Sequence, residues 1–224
     1  MKVADFIIKD EVLYIDMNIE VIFALICNVA IVFLTIYAHY LFQKNIEKIH
    51  PGKSKWHFFI YFTSDSNILN ALFSAILIPY LVRALVAGGV VPQVVYALHY
   101  VGTCAVLLTF LTVMVFLAPV TSYKQMLSGS DMFMHLVCPL LSLVSCAFLT
   151  PAEPIPFYYT FLGIIPTIVY GTVYCYKVLV KGPENGGWED FYTFNRGGKW
   201  YISLCLMLIG SYLISVGLYF LGRL

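Results

Sequence analysis

Six stretches of mostly apolar residues, at about 21–40, 57–82, 94–118, 132–150, 157–180 and 200–221, occupy most of the chain. Each is long enough to cross the hydrocarbon core of a bilayer, which takes roughly 20 residues of helix. The runs are continuous and do not alternate with period two, so they do not read as strands of a membrane barrel. In hydrocarbon every backbone N–H and C=O must be satisfied within the protein, so the runs are expected to be helices. The 224 residues are 61% hydrophobic and 11% charged, against about 45–50% and about 25% in soluble domains. Lys and Arg number 13 and Asp and Glu 12, a net charge of +1, so no basic stripe exists to follow a phosphate backbone. The fold class expected is therefore all-α: a polytopic membrane protein, one bundle of six transmembrane helices over 1–224. It has short loops, no internal repeat and no soluble domain. Its partner is the bilayer, and nucleic acid is excluded.

The first 20 residues carry Asp5, Asp10, Glu11, Asp16 and Glu20 against Lys2 and Lys9. The apolar run behind them exceeds the roughly 7–15 residues of a cleavable signal core. The expectation is a retained first helix behind a short acidic segment. Of the 13 basic residues, Lys44, Lys48, Lys53, Lys55, Lys124, Lys177, Lys181, Arg196 and Lys199 fall in or beside loops 1, 3 and 5. Lys2, Lys9, Arg83 and Arg223 fall on the other side. The positive-inside rule then places loops 1, 3 and 5 in the cytoplasm and both termini opposite. The host is a bacterial plasma membrane or a eukaryotic endomembrane.

Much familiar chemistry is missing. Cys27, Cys104, Cys138, Cys146, Cys175 and Cys205 all lie within expected helices, with no C-x-x-C, and read as small buried hydrophobes. There is no G-x-S-x-G, no H-E-x-x-H and no P-loop. Of the five histidines, His39, His50 and His57 sit at helix ends or in a basic loop, leaving His99 and His135 in the interior. That is too few for paired haem ligands, so neither metal nor cofactor is expected. In the fifth run, Pro166 followed by Gly171 predicts a kink that widens the bundle.

The informative segment is Tyr61-Phe62-Thr63-Ser64-Asp65-Ser66-Asn67-Ile68-Leu69-Asn70. At 3.6 residues per turn, Thr63, Ser66, Asn67, Asn70 and Ser74 share one helical face, with Asp65 roughly opposite. Such residues hold membrane helices together by hydrogen bonds, and five in a row also suit a lined cavity. His135 opens the fourth run from the same side as Thr63, at a similar depth, and the two are expected to meet in one shallow pocket. A hydroxyl needs an adjacent base to act as nucleophile, and a neutral imidazole supplies one. Ser66, Asn67 and Asn70 are candidate donors to the developing oxyanion. Asp131, four residues before His135, is a possible partner that orients the imidazole, or simply an acid in a helical first turn beside Ser128 and Ser130.

Phe62-Thr63-x-x-Ser66-Asn67 in the second helix, a histidine opening the fourth, and six helices in a short chain resemble the androgen-induced membrane hydrolase family. Its members are six-helix proteins that hydrolyse fatty acid esters of hydroxy fatty acids. The chain is similar also, and more closely, to small predicted six-helix membrane proteins, many of them bacterial. The resemblance covers nearly the whole architecture but only two short motifs. It implies a threonine nucleophile in the second helix and a histidine base in the fourth, at Thr63 and His135, and a lipid or fatty acyl ester as substrate. The segment Trp188-Glu-Asp-Phe-Tyr192-Thr-Phe-Asn195-Arg196 is similar to the bacterial relatives as well. Tyr192 and Asn195 are expected at the pocket mouth, as a lid or headgroup contact, or else in an interfacial aromatic belt.

Three functions follow as expectations. The first is an intramembrane lipid ester hydrolase using Thr63 and His135. The second is a passive transporter, channel or lipid scramblase lined by the polar face of helix 2. A coupled carrier is disfavoured, because it wants an intramembrane carboxylate on that path. The third is an assembly protein whose polar residues bind helix to helix.

Overall fold

Each apolar run winds into a helix, the one conformation that satisfies its backbone without neighbours. The computed structural model describes residues 2–149 and 154–223, with side chains from Ile19 onward except at position 49. Helix α1 runs Lys2–Lys44, of which Ile19–Lys44 is the candidate span; α2 is Phe62–Ala87, α3 Gln93–Val120, α4 Ser130–Phe148, α5 Phe157–Lys181 and α6 Trp200–Leu221. All six are long and apolar enough to cross a membrane, and the chain is an integral membrane protein. The expected end of the fourth helix at 150, and the side chains of the acidic N-terminal segment, lie outside the described residues.

Helix α3 is the centre of the bundle. It packs against α2, α4, α5 and α6, while α1 lies outside against α2 and α4. Large apolar side chains remain outward, among them Phe23, Ile26, Phe33 and Ile36 on α1 and Leu206, Ile209 and Leu213 on α6. In lipid such exposure costs nothing, so close packing and interhelical hydrogen bonds must decide the arrangement. Both are visible. A Cβ on Gly102 of α3 would stand 3.1 Å from the Asn70 Cα, so α2 and α3 approach backbone to backbone only because a glycine stands there. On the other flank, Ser215 Oγ of α6 donates to the Thr160 carbonyl at 2.8 Å, Thr167 and Ser211 hydroxyls lie 2.9 Å apart, and Tyr100 of α3 donates to the Ser215 carbonyl. Asn28 of α1 reaches Ser145 of α4 at 2.6 Å.

Three helices change winding near the end that carries loops 1, 3 and 5. Thr112–Leu117, Phe133–Val137 and Tyr176–Lys181 are π-helical turns. Each is followed, two residues after its last, by a proline: Pro119, Pro139 and Pro183. In an α-helix a proline ring collides with the carbonyl four residues back and leaves it unbonded. Widening the preceding turn relieves the collision, and the residue before each proline bonds five residues back instead: Ala118 to Val113, Cys138 to Phe133, Gly182 to Lys177. In α5 the kink expected at Pro166 takes the form of another change of winding, from a 3-10 stretch over Phe157–Ile164 to α-helix from Ile165.

Candidate active site

Helix α2 begins at Phe62, five residues later than hydropathy suggests. His57–Ile60 form a 3-10 turn and Tyr61 is extended, with φ −103° and ψ 128°. Thr63 therefore sits in the first turn, half-buried. Two tyrosines from distant parts of the chain shape this helix start. The Tyr192 hydroxyl accepts the Phe62 N–H at 3.1 Å, and the Tyr170 hydroxyl donates to the Ile60 carbonyl at 2.7 Å. The Ser64 and Asp65 N–H groups both reach the Tyr61 carbonyl, at 3.1 and 3.2 Å. Between them, neither the N–H nor the hydroxyl of Thr63 has a hydrogen-bond partner among the described residues. Both stand at the positive end of the α2 dipole.

His135 lies inside the π-helical turn of α4 and is 8% exposed. Its Nδ1 is 2.8 Å from the Met126 carbonyl. A carbonyl only accepts, so in the neutral ring Nδ1 carries the proton and Nε2 keeps the lone pair. Nε2 makes no hydrogen bond with the described residues. The ring is thus fixed on one nitrogen and free on the other.

Pro139 explains how the turn that carries this histidine is tied to α2. In the π register a residue at 139 would donate to Met134, but proline has no N–H. The Met134 carbonyl is taken instead by Asn67 Nδ2 of α2 at 3.0 Å, and the same nitrogen donates to the Thr63 carbonyl at 2.8 Å. A single amide therefore joins the backbone of Thr63 to that of the residue preceding His135. The pattern repeats in α3, where Pro119 frees the Met114 carbonyl and the Tyr123 hydroxyl takes it at 3.0 Å.

The other expected site residues fall out as follows. Asn67 cannot donate to an oxyanion, because both its hydrogens go to carbonyls. Ser66 is committed likewise, 3.1 Å from the Thr63 carbonyl and 2.9 Å from Thr109 Oγ1 on α3. Asn70 lies seven residues beyond Thr63, about 10 Å along the axis, with Oδ1 accepting from Ser142 of α4 at 2.9 Å. Its Nδ2, Asn67 Oδ1, Ser74 Oγ and both nitrogens of His99 are buried without a partner among the described residues. Asp131 opens α4 as an acidic first-turn residue and accepts from the Ser130 hydroxyl at 3.4 Å, while Met126, and not Asp131, holds the His135 ring.

Tyr192 and Asn195 belong to a folded cap rather than a free edge. Asp190 accepts from the Tyr174 hydroxyl at 2.9 Å and from the Phe194 and Asn195 N–H groups, both at 2.8 Å. This knot lays Phe191 and Tyr192 against Tyr61 and Tyr174. Burial pushes the Tyr192 hydroxyl up to about 12, so it stays protonated. Sequence reasoning missed Met126, Tyr170, Tyr174 and Asp190; the missing N–H of Pro139 was the one signal pointing to the Asn67 bridge. Compared with known proteins, the chain matches no family model, no curated protein and no solved structure.

The geometry separates neighbours on one helix. Asn67→Ala leaves the Met134 carbonyl unpaired, while Thr63 keeps the Ser66 hydroxyl on its own carbonyl, and should cost about 1–3 kcal/mol, read as a lowered thermal midpoint in detergent. Thr63→Ala removes a hydroxyl without a partner and should stay within about 0.5 kcal/mol of the parent. Equal losses from both substitutions contradict the bridge.

Proposed function

We propose that this chain is an intramembrane lipid ester hydrolase with Thr63 as nucleophile and His135 as base, acting on fatty acyl esters. The observation that carries the proposal is the Asn67 amide, which holds the Thr63 turn and the π-helical turn of His135 together. In the proposed reaction His135 Nε2 takes the Thr63 hydroxyl proton as Oγ1 attacks the ester carbonyl. In the same proposal the unpartnered N–H of Thr63, at the helix start, donates to the tetrahedral oxyanion. The imidazolium returns its proton to the leaving alkoxide, and water then releases the fatty acid from the acyl-threonine by the same route. A passive path receives less support, because Ser66, Asn67, Asn70 and Ser74 are each 1% exposed or less. Most of their bonds run to α3 and α4, as an assembly role would also require; the free hydroxyl and free Nε2 are what an assembly role leaves without use.

The test is hydrolysis of a chain-length series of neutral fatty acyl esters by the purified protein in micelles. Thr63→Ala should abolish turnover, Thr63→Ser should retain part of it, and His135→Ala should lower it by about 10²–10⁴-fold. Turnover unchanged in Thr63→Ala rejects the proposal. Sidedness belongs to the same proposal: loops 1, 3 and 5, carrying most of the Lys and Arg, face the cytoplasm. A reporter fused beside Lys124 should stay cytoplasmic and one beside Arg83 should be exported; the reverse result inverts the orientation.

A further inference from the structure

A cavity of about 530 Å³ lies on the opposite side of α2 from His135, between α2 and α5, with Val101 of α3 lining it. Neither Thr63 nor His135 lines it. Its walls are mostly apolar, among them Leu69, Phe73, Ile165 and Val169, with the buried Ser66 at one edge, and several of them open outward: Phe59, Ile165, Val169 and Val173 are 43–60% exposed. One lining group is charged, and that is Asp65. Its carboxylate accepts no hydrogen bond among the described residues, and no basic side chain lines the cavity with it. The start of α2 has no side-chain cap, so the carboxylate is not committed to the helix end.

An unpaired carboxylate within a span is costly and calls for a cationic partner. Beside Asp65 stand Phe62, Tyr170 and Trp188, in contact ring to ring, with centroids 5.1 Å apart for Phe62 and Tyr170 and 6.4 Å for Tyr170 and Trp188. The Trp188 ring already attracts a cation, with Lys177 Nζ 6.0 Å from its centroid. Aromatic faces next to a carboxylate are the chemistry that recognises an ammonium head, above all a quaternary one. The volume falls within the roughly 300–1,000 Å³ of sites for one drug-sized ligand, which suits a single chain and not a two-chain lipid.

We infer that the cavity between α2 and α5 binds a single-chain amphiphile with a cationic nitrogen head, the head held by Asp65 against Phe62, Tyr170 and Trp188 and the chain lying along Leu69 and Phe73. This site is independent of the proposed hydrolysis, since binding there needs neither Thr63 nor His135.

The chain has three tryptophans, and Trp56→Phe with Trp200→Phe leaves Trp188 as the reporter. The probe is an alkyltrimethylammonium brominated along its chain, titrated into the protein in maltoside micelles. Matched brominated arms are the alkyl alcohol, the alkyl sulfate and a two-chain phosphatidylcholine. The expected result is saturable quenching of Trp188 by the ammonium, weakened about tenfold by Asp65→Asn, with the alcohol and sulfate quenching only in proportion to partitioning. Equal quenching by all heads overturns the inference, and so does ammonium binding indifferent to Asp65→Asn. Tighter binding of the two-chain lipid also overturns it, because the occupant is then a bilayer phospholipid. Should Asp65→Asn fail to fold, the head-group series on the parent protein decides the question alone.

Discussion

A proline in a membrane helix leaves a carbonyl that no water can satisfy, and Pro139 does so in α4. Nearly everything about the candidate site follows from how that debt in hydrogen bonding is met. Widening the turn over Phe133–Val137 keeps the proline ring clear of the His135 carbonyl and moves the orphan to Met134. Asn67 then closes the gap from α2. In hydrocarbon the alternative is an unpaired backbone group costing several kcal/mol, so the position of α2 against α4 is strongly constrained. The spacing of His135 and Pro139 is thus a mechanical device: it creates the distorted turn in which the histidine sits and the acceptor that fixes the neighbouring helix. The same arrangement at Pro119, Met114 and Tyr123 indicates that the fold uses it more than once.

Around that contact the bundle is organised by α3, whose small and polar residues serve several neighbours at once. Gly102 admits Asn70, Thr103 links to Ser142 of α4 at 2.8 Å, Thr109 links to Ser66, and Tyr100 reaches α6. The Thr109 contact holds the start of α2 from behind, while the Asp190 knot and the two tyrosine hydroxyls hold it from the loop side. The proposed nucleophile and base would benefit from such restraint, because a small misplacement of reacting atoms is expensive in rate.

The six helices were legible because continuous apolar length is a strong signal and hydrocarbon leaves few alternatives. Boundaries were less so: the apolar and aromatic residues of His57–Ile60 read as part of the second helix, yet they form a separate turn ahead of an extended Tyr61. Face assignment by helical period worked for Asp65, which lines the cavity toward α5, although Ser66 of the polar stripe borders that cavity too. It did not say what the stripe bonds to, and Ser66 and Asn67 prove to be structural donors rather than free ones. The four-residue spacing left Asp131 either a partner of His135 or an acid in a helical first turn; it is a first-turn acid, and the Met126 carbonyl, a backbone group with no mark in the sequence, holds the ring. Tyr170 and Tyr192 reach Ile60 and Phe62, on either side of the start of α2, from more than 100 residues away, a relation that local spacing does not encode.

The central claim, that Thr63 is a hydroxyl activated by His135, is tested most directly by covalent capture. A fluorophosphonate reagent that reacts with activated serine and threonine, followed by peptide mapping, should place an adduct on Thr63 in the purified protein. The adduct should disappear in His135→Ala while Asp131→Ala retains it. A well-folded protein that forms no adduct at Thr63, or one that labels equally without His135, contradicts the account.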